Sequence, residues 1–137
     1  MAAGATTSSE TKGSVEVRRE GNVAVVTLRR ERKRNALSTH MEAELLRALH
    51  APELTSSRVV VITGGDTVFS AGADTTELRD MTPAAITRYY RESGSVYEVF
   101  AGLPQPTVAA ITGYCLGGGL ELALAADIRI ADPAAIY

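Results

Sequence analysis

The residues best suited to chemistry lie in a glycine-rich turn at positions 113–119. The turn separates an apolar run typical of a β-strand, residues 107–111, from a small apolar segment typical of a helix, residues 120–126. Glycine has no Cβ atom, so this backbone can lie against a ligand. The helix begins with unpaired N–H groups that suit a carbonyl oxygen gaining negative charge, and Glu121 follows as a candidate base. The alternative, a turn that only packs the strand against the helix, is equally open from this stretch.

A second segment of small residues, Ser-Ala-Gly-Ala-Asp at positions 70–74, follows a continuous apolar strand predicted over residues 58–63. Its centre is almost free of side chains, so a ligand could approach the backbone closely. In the alternative interpretation it is a tight packing turn, and Asp74 is the N-cap of a short following helix.

A cluster of cations lies between these motifs and the N-terminus. Five of the six residues at positions 29–34 are Arg or Lys. Such a cluster is either a solvated loop or a site for phosphates, which guanidinium groups bind well. A net charge of -2 argues against a nucleic-acid partner.

The other patterns predict a single α/β domain with parallel strands over residues 14–137, after a disordered tail at residues 1–13. A β-hairpin is expected at residues 14–29 around Gly21-Asn22, and Thr39 and Glu42 have the spacing of a helix-capping box. Helical periodicity is then expected from Thr82-Pro83 to Pro104, with one helical face formed by Ile86, Tyr90, Tyr97, Phe100 and Leu103. Its tyrosines are interpreted as residues of the core edge, not as catalytic acids.

Composition excludes several classes of protein. The chain of 137 residues has one cysteine, which excludes an intramolecular disulfide, and with only two histidines it argues against a structural zinc site. No apolar run approaches the roughly 20 residues that span a bilayer, so we expect no membrane partner and a cytoplasmic location. A nucleotide-binding Rossmann domain is disfavoured because no G-x-G-x-x-G follows the first strand.

The two small-residue turns, together with Arg34-Asn-Ala-Leu37 and residues 126–132, resemble the enoyl-CoA hydratase/isomerase (crotonase) superfamily. The four motifs occur in the family's order and spacing. The resemblance implies a crotonase-like spiral of ββα units that binds acyl-CoA thioesters. Family members are longer, so it also implies a truncated spiral without the helical trimerisation region, with apolar surface left uncovered. The second glutamate of the family's hydratases would fall a few residues after Tyr137.

The resemblance assigns roles to particular positions. The catalytic residues would be Glu121, as the base, with the backbone N–H groups of Ala73 and Gly118, as the pair that holds the thioester oxygen. Arg32, Lys33 and Arg34 would meet the phosphates of CoA, and Ala36 and Ala71 its adenine or pantetheine. The remaining substrate-binding positions are Asp74, Thr75 and Thr76 at the acyl entrance and Gly117 in the glycine turn.

The implied function is that of an enoyl-CoA hydratase-type lyase, which adds water to an α,β-unsaturated acyl-CoA through an enolate. No cofactor is expected, because CoA is part of the substrate, and the family implies a homo-oligomer, a trimer or hexamer. Two alternatives stay open: a non-catalytic or vestigial acyl-CoA-binding homologue, and another crotonase reaction such as enoyl-CoA isomerisation.

Overall fold

A β-hairpin begins the sheet, as the Gly21-Asn22 pair predicts. In the computed structural model, which describes residues 11–92 and 94–137, strand β1 (Ser14–Glu20) pairs antiparallel with β2 (Val23–Arg29). Alternate residues of β2 are fully buried, the pattern of a strand that packs one face on the core.

Three further strands extend the sheet in parallel orientation. They are β3 (Val59–Thr63), β4 (Thr107–Ile111) and β5 (Ile128–Ala131). Each pairs with the strand before it, so the spatial order β1-β2-β3-β4-β5 is also the sequence order. The predicted α/β class with parallel strands is confirmed, and only the first pair is antiparallel.

The helices lie in the connections between strands. They are α1 (Thr39–Leu49), α2 (Pro52–Thr55), α3 (Thr75–Arg79), α4 (Pro83–Glu92), α5 (Gly94–Ala101) and α6 (Gly118–Leu124), with a 3₁₀ turn at Glu31–Lys33. Helix α6 therefore begins two residues before the predicted segment at residues 120–126.

The capping prediction for α1 is wrong by one residue. Ser38 is the N-cap, and its hydroxyl accepts a hydrogen bond from the N–H of Met41 at 3.2 Å. Thr39 is already helical, and both its N–H and its hydroxyl donate to the Glu77 carboxylate in α3. Thr39 thus contacts Glu77, which is distant in sequence, instead of capping its own helix.

The core forms where α1 packs against β1 and α5 packs against α1. Phe69 and Phe100 are fully buried there, but Tyr90, predicted at the core edge, is 66% exposed, and Tyr89 is buried instead. The inner face of α4 therefore runs through Ile86 and Tyr89, three residues apart, and not through Ile86 and Tyr90.

The edge at β5 exposes apolar side chains. All four residues of β5 are exposed, and Ile128 and Ile130 keep 52% and 62% of their surface accessible. The family resemblance implies uncovered apolar surface, and these two isoleucines are exposed apolar side chains of β5. No helix among the described residues has the length and hydrophobicity to cross a membrane.

Only the end of the predicted tail lies within the described residues, since residues 1–10 fall outside them. The carbonyl oxygen of Thr11 accepts a hydrogen bond from Arg30 Nε at 2.9 Å. The carbonyl oxygen of Gly13 lies 3.1 Å from His40 Nε2.

Candidate functional site

Three of the four sequence motifs meet in one backbone ladder outside the main sheet. The segment at residues 70–74 lies between residues 34–37 and 114–116. The hydrogen bonds that join them run from Ala71 N to Arg34 O (2.9 Å), Leu37 N to Gly72 O (2.7 Å), Asp74 N to Leu37 O (3.1 Å), Ser70 N to Tyr114 O (2.9 Å) and Leu116 N to Ser70 O (3.0 Å). The ladder fixes the small-residue turn from both sides.

Asn35 anchors this ladder to the end of β3. Its side chain is completely buried, and Oδ1 accepts a hydrogen bond from the N–H of Arg30 at 2.7 Å. Nδ2 donates to three backbone carbonyls, those of Gly64 (3.0 Å), Val68 (2.9 Å) and Phe69 (3.2 Å). Asn35 also has a positive φ of 51°, which asparagine tolerates better than most residues.

The two small-residue turns touch through backbone atoms. A Cβ atom on Gly72, whose φ is +92°, would lie 2.7 Å from the carbonyl oxygen of Leu116 and 3.1 Å from the nitrogen of Gly118. A Cβ atom on Gly118 would lie 3.8 Å from the nitrogen of Ala73. Only glycines allow this approach, which brings the N–H groups of Ala73 and Gly118 close together.

These two N–H groups are also unused. Within residues 11–92 and 94–137, neither Ala73 N nor Gly118 N has an acceptor, although the neighbouring N–H groups of Asp74 and Gly119 both donate to backbone carbonyls. Unpaired donors are uncommon in folded proteins unless water or a ligand meets them. The arrangement can therefore hold an oxygen that carries negative charge.

Glu121 lies in the first turn of α6, as predicted, and its side chain is exposed. Burial, with the negative charges of Glu42 and Glu121, raises the pKa of Tyr97 in α5. Glu121 follows Gly118, which carries one of the two free N–H groups, by three residues in the same helix. The described residues contain no cluster of three or more His, Cys, Asp or Glu side chains suited to a metal ion.

Asp74 caps α3, the alternative that the sequence left open. Its Oδ1 accepts from the N–H groups of Thr76 and Glu77, and its Oδ2 forms a buried ion pair with Arg30 Nη1 at 2.8 Å. Burial by itself would raise the pKa of Asp74, but the hydrogen bonds from Arg30, Glu77 and Thr76 outweigh it and lower the pKa. Arg30 is therefore a structural partner inside a run of cations that otherwise lies at the surface.

The predicted CoA-binding residues are only partly brought together. Lys33, Asp74 and Thr76 line one surface cleft of about 350 Å³. Arg34 lies elsewhere, with its guanidinium carbon 5.0 Å from the centre of the Tyr114 ring, in cation–π geometry. Arg32 and Thr75 are exposed.

Backbone hydrogen bonds account for the other predicted positions. The carbonyl oxygen of Ala36 accepts a hydrogen bond from the Arg30 guanidinium, and Ala71 is held in the ladder. Gly117, with a φ of +49°, forms the turn before α6.

A polar wall, formed by Glu42 of α1, Tyr89 of α4 and Tyr97 of α5, was missed by sequence reasoning. Tyr89 donates a hydrogen bond to Glu42 Oε1 at 3.2 Å, and Glu42 is only 9% exposed. Burial raises the pKa of Glu42 to about 7, opposed by the hydrogen bond from Tyr89 and assisted by the charge of Glu77. Glu42 and Tyr89 line a pocket of about 220 Å³. The sequence offered no signal, because Glu42 fits an ordinary helix start.

Comparisons with known proteins identify the family. The family model described as enoyl-CoA hydratase/isomerase matches residues 18–137. The chain is 42% identical over 117 residues to a Thermus thermophilus protein provisionally named enoyl-CoA hydratase, covering 82% of this chain and 46% of that protein. It is 36% identical over 121 residues to the short-chain-enoyl-CoA hydratase of Clostridium acetobutylicum, covering 87% of this chain and 46% of that protein.

A solved structure confirms the fold. The enoyl-CoA hydratase from Thermoplasma volcanium superposes with a TM-score of 0.80 at 36% identity, covering 94% of this chain and 51% of the other. The chain thus spans about half the length of the relatives that it matches. On this sequence and structural evidence, the chain belongs to the enoyl-CoA hydratase/isomerase, or crotonase, superfamily.

Proposed function

We propose that this chain binds an α,β-unsaturated acyl-CoA thioester and takes part in adding water across its double bond. The observation that carries the proposal is the pair of free N–H groups, on Ala73 and Gly118, held together by two turns from distant parts of the chain. Glu121 follows Gly118 by about one turn of α6 and supplies a carboxylate. The relatives bear the names of enoyl-CoA hydratases, which supports the same chemistry.

The N–H pair would act on the thioester oxygen. When a water oxygen bonds to the β-carbon, the electrons of the double bond move through the α-carbon, and the carbonyl becomes an enolate with its charge on oxygen. Two fixed donors stabilise that charge more than they stabilise the neutral carbonyl, so they lower the barrier. Losing one such donor can cost roughly 3 kcal/mol of barrier.

Glu121 would act as the base. As the water oxygen bonds to the β-carbon, the carboxylate of Glu121 takes a proton from that water. The enolate then collapses to the thioester as its α-carbon receives a proton, either this one or one from a second acid. The product is a 3-hydroxyacyl-CoA.

Binding of CoA would use the cations Lys33 and Arg34, at the start of the first ladder segment. Lys33 borders the cleft that also contains Thr76, and the guanidinium of Arg34 stacks on Tyr114, so both are held close to the ladder. Arginine and lysine side chains pair well with phosphate oxygens. A homo-oligomer, as in the family, remains part of this proposal.

The test is loss of crotonyl-CoA absorbance on hydration by the purified chain. We expect turnover that falls by at least about 100-fold in Glu121→Gln, because the amide cannot accept the water proton. Glu98→Gln, which changes an exposed glutamate of α5, is the matched control and should keep full activity.

Other outcomes would replace the proposal. Binding of crotonyl-CoA without turnover would identify an acyl-CoA-binding homologue. Conversion of a 3-enoyl-CoA to the 2-enoyl isomer, with no hydration, would identify an isomerase. If Glu121→Gln hydrates crotonyl-CoA as fast as the unsubstituted chain, Glu121 is not the base.

A further inference from the structure

The hydroxyl of Tyr97 lies directly beside one of the free N–H groups. A Cβ atom built on Gly118 would be only 2.7 Å from Tyr97 Oη. The contact joins α5 to the start of α6, two helices that pack against each other. Tyr97 is half-buried, and its ring packs against the hydrophobic core, so the hydroxyl is held in place.

The backbone conformation of Gly118 relates this distance to the place where a ligand would bind. Gly118 is the first residue of α6, and at a helical φ near −63° the N–H and Cα–Cβ bonds of a residue point to the same side. A group beside the Cβ position is therefore also beside an oxygen bound to that N–H. Tyr97 Oη consequently lies on the side where the free N–H of Gly118 would meet a ligand.

The hydroxyl is available as a donor. Among the described residues, Tyr97 Oη has no hydrogen-bond partner, whereas the hydroxyl of Tyr89 donates to Glu42. Burial, with the negative charges of Glu42 and Glu121, raises the pKa of Tyr97 well above its ordinary value. The raised pKa favours the protonated form of this hydroxyl, which can donate a hydrogen bond.

From these contacts we propose that Tyr97 Oη donates a third hydrogen bond to the thioester oxygen, beside the N–H groups of Ala73 and Gly118. This inference rests on the proposed function and adds to it a side-chain donor that backbone geometry alone does not supply. As the oxygen gains charge, this hydrogen bond strengthens, and no proton is transferred. Glu42 and Glu121 assist by keeping the hydroxyl protonated.

The experiment compares Tyr97→Phe with Tyr90→Phe, the same chemical change on a tyrosine that is 66% exposed. Phenylalanine keeps the ring and its packing, so both variants should have the urea midpoint of the unsubstituted chain. We expect Tyr97→Phe to lower kcat for crotonyl-CoA hydration by about 10- to 100-fold with little change in KM, because the lost contact acts mainly in the transition state.

A spectroscopic readout separates hydrogen bonding from packing. Crotonyl-CoA labelled with ¹³C at the thioester carbonyl is bound to the Glu121→Gln chain, which prevents turnover. We expect the downfield shift of the bound carbonyl to shrink when Tyr97→Phe is added, and to stay the same when Tyr90→Phe is added.

Two results would overturn the inference, and they are distinguishable. If the unsubstituted chain polarises the carbonyl and Tyr97→Phe polarises it equally with an unchanged kcat, Tyr97 only lines the pocket and the proposed function stands. If the unsubstituted chain binds the thioester without shifting its carbonyl, the proposed function fails, and the role of Tyr97 fails with it.

Discussion

The backbone ladder and the polar wall each have a member beside Gly118, Ala73 in the ladder and Tyr97 in the wall, and they are built in opposite ways. In the ladder, the side chains of Asn35 and Asp74 have hydrogen-bond partners at each of their polar atoms. In the wall, Glu42 is buried with a pKa near 7, and Tyr97 Oη has no partner among the described residues. A pocket of about 220 Å³ borders the wall.

This difference separates two tasks that a thioester site must perform. A fully hydrogen-bonded network has one low-energy arrangement, so it can hold backbone donors at a fixed spacing. Side chains with unused hydrogen-bonding capacity respond to a ligand or to pH. We therefore expect substitutions in the ladder to reduce stability, and substitutions in the wall to change pH dependence.

Asn35→Ala should have the largest effect. It leaves the carbonyls of Gly64, Val68 and Phe69 without their donor, and it removes the acceptor of the Arg30 N–H. We expect a loss of about 4 kcal/mol in the free energy of unfolding, measured by urea titration. The chain's other asparagine, Asn22, is exposed, and Asn22→Ala should cost far less. Equal midpoints for the two variants would contradict the anchoring role of Asn35.

Asp74→Ala should follow, with a loss of roughly 3 kcal/mol, because it leaves Arg30 buried without its partner and removes the cap of α3. The lowered pKa of Asp74 means that its contribution is complete above the unfolded-state pKa and is lost as pH falls through the folded-state pKa. The variant should therefore show a weaker loss of stability in acid. Asp80→Ala, in an exposed pair with Arg79, serves as the control. An Asp74 variant with the native acid profile would rule out the pair as its cause.

Glu42→Gln should change the pH dependence of stability. Because the folded-state pKa of about 7 exceeds the unfolded value, the native protein binds this proton more tightly. Its stabilisation is complete below about pH 4 and is lost as pH rises to about 7. The variant should not show this fall, and at pH 8 it should be more stable than the native chain by about 2 kcal/mol. A native-like slope in Glu42→Gln, or its absence in Glu98→Gln, would count against this assignment.

Tyr89→Phe should have the smallest effect, a loss of about 1 kcal/mol for one hydrogen bond. Since that hydrogen bond lowers the pKa of Glu42, its removal should move the midpoint of the pH-dependent fall to a higher pH. Parallel urea titrations at several pH values measure both effects, with Tyr90→Phe as the reference. A midpoint that moves to lower pH would show that Tyr89 acts on Glu42 in some other way.

The sequence predicts the framework of this protein better than its polar contacts. The hairpin and the parallel strands follow from local patterns, namely Gly21-Asn22 and the apolar runs of β3 and β4. The contact between Gly72 and Gly118 could be expected only from the family resemblance, which assigns both turns to one site. No local sequence rule predicts that two turns so distant in sequence meet.

The pairing of polar side chains could not be predicted from the sequence, because it depends on residues that only the tertiary fold brings together. Arg30 lies among exposed cations, and only the tertiary fold makes it the partner of Asp74. Glu42 has the spacing of an ordinary helix start, and its raised pKa arises from burial in the tertiary fold and from the charge of Glu77 in α3. Tyr89 is buried in place of Tyr90 because the inner face of α4 pairs Ile86 with the residue three positions later, and helical spacing alone allows either three or four.

The agreement between strand order and sequence order has a consequence for how the chain assembles during synthesis. Among the described residues, each strand pairs only with the strands that precede or follow it in the sequence. As the chain leaves the ribosome, β3 meets a finished hairpin, and β4 meets β3, so no strand has to insert between two that are already paired. Folding can therefore proceed from the N-terminus at the pace of translation, with a single growing edge exposed at any moment.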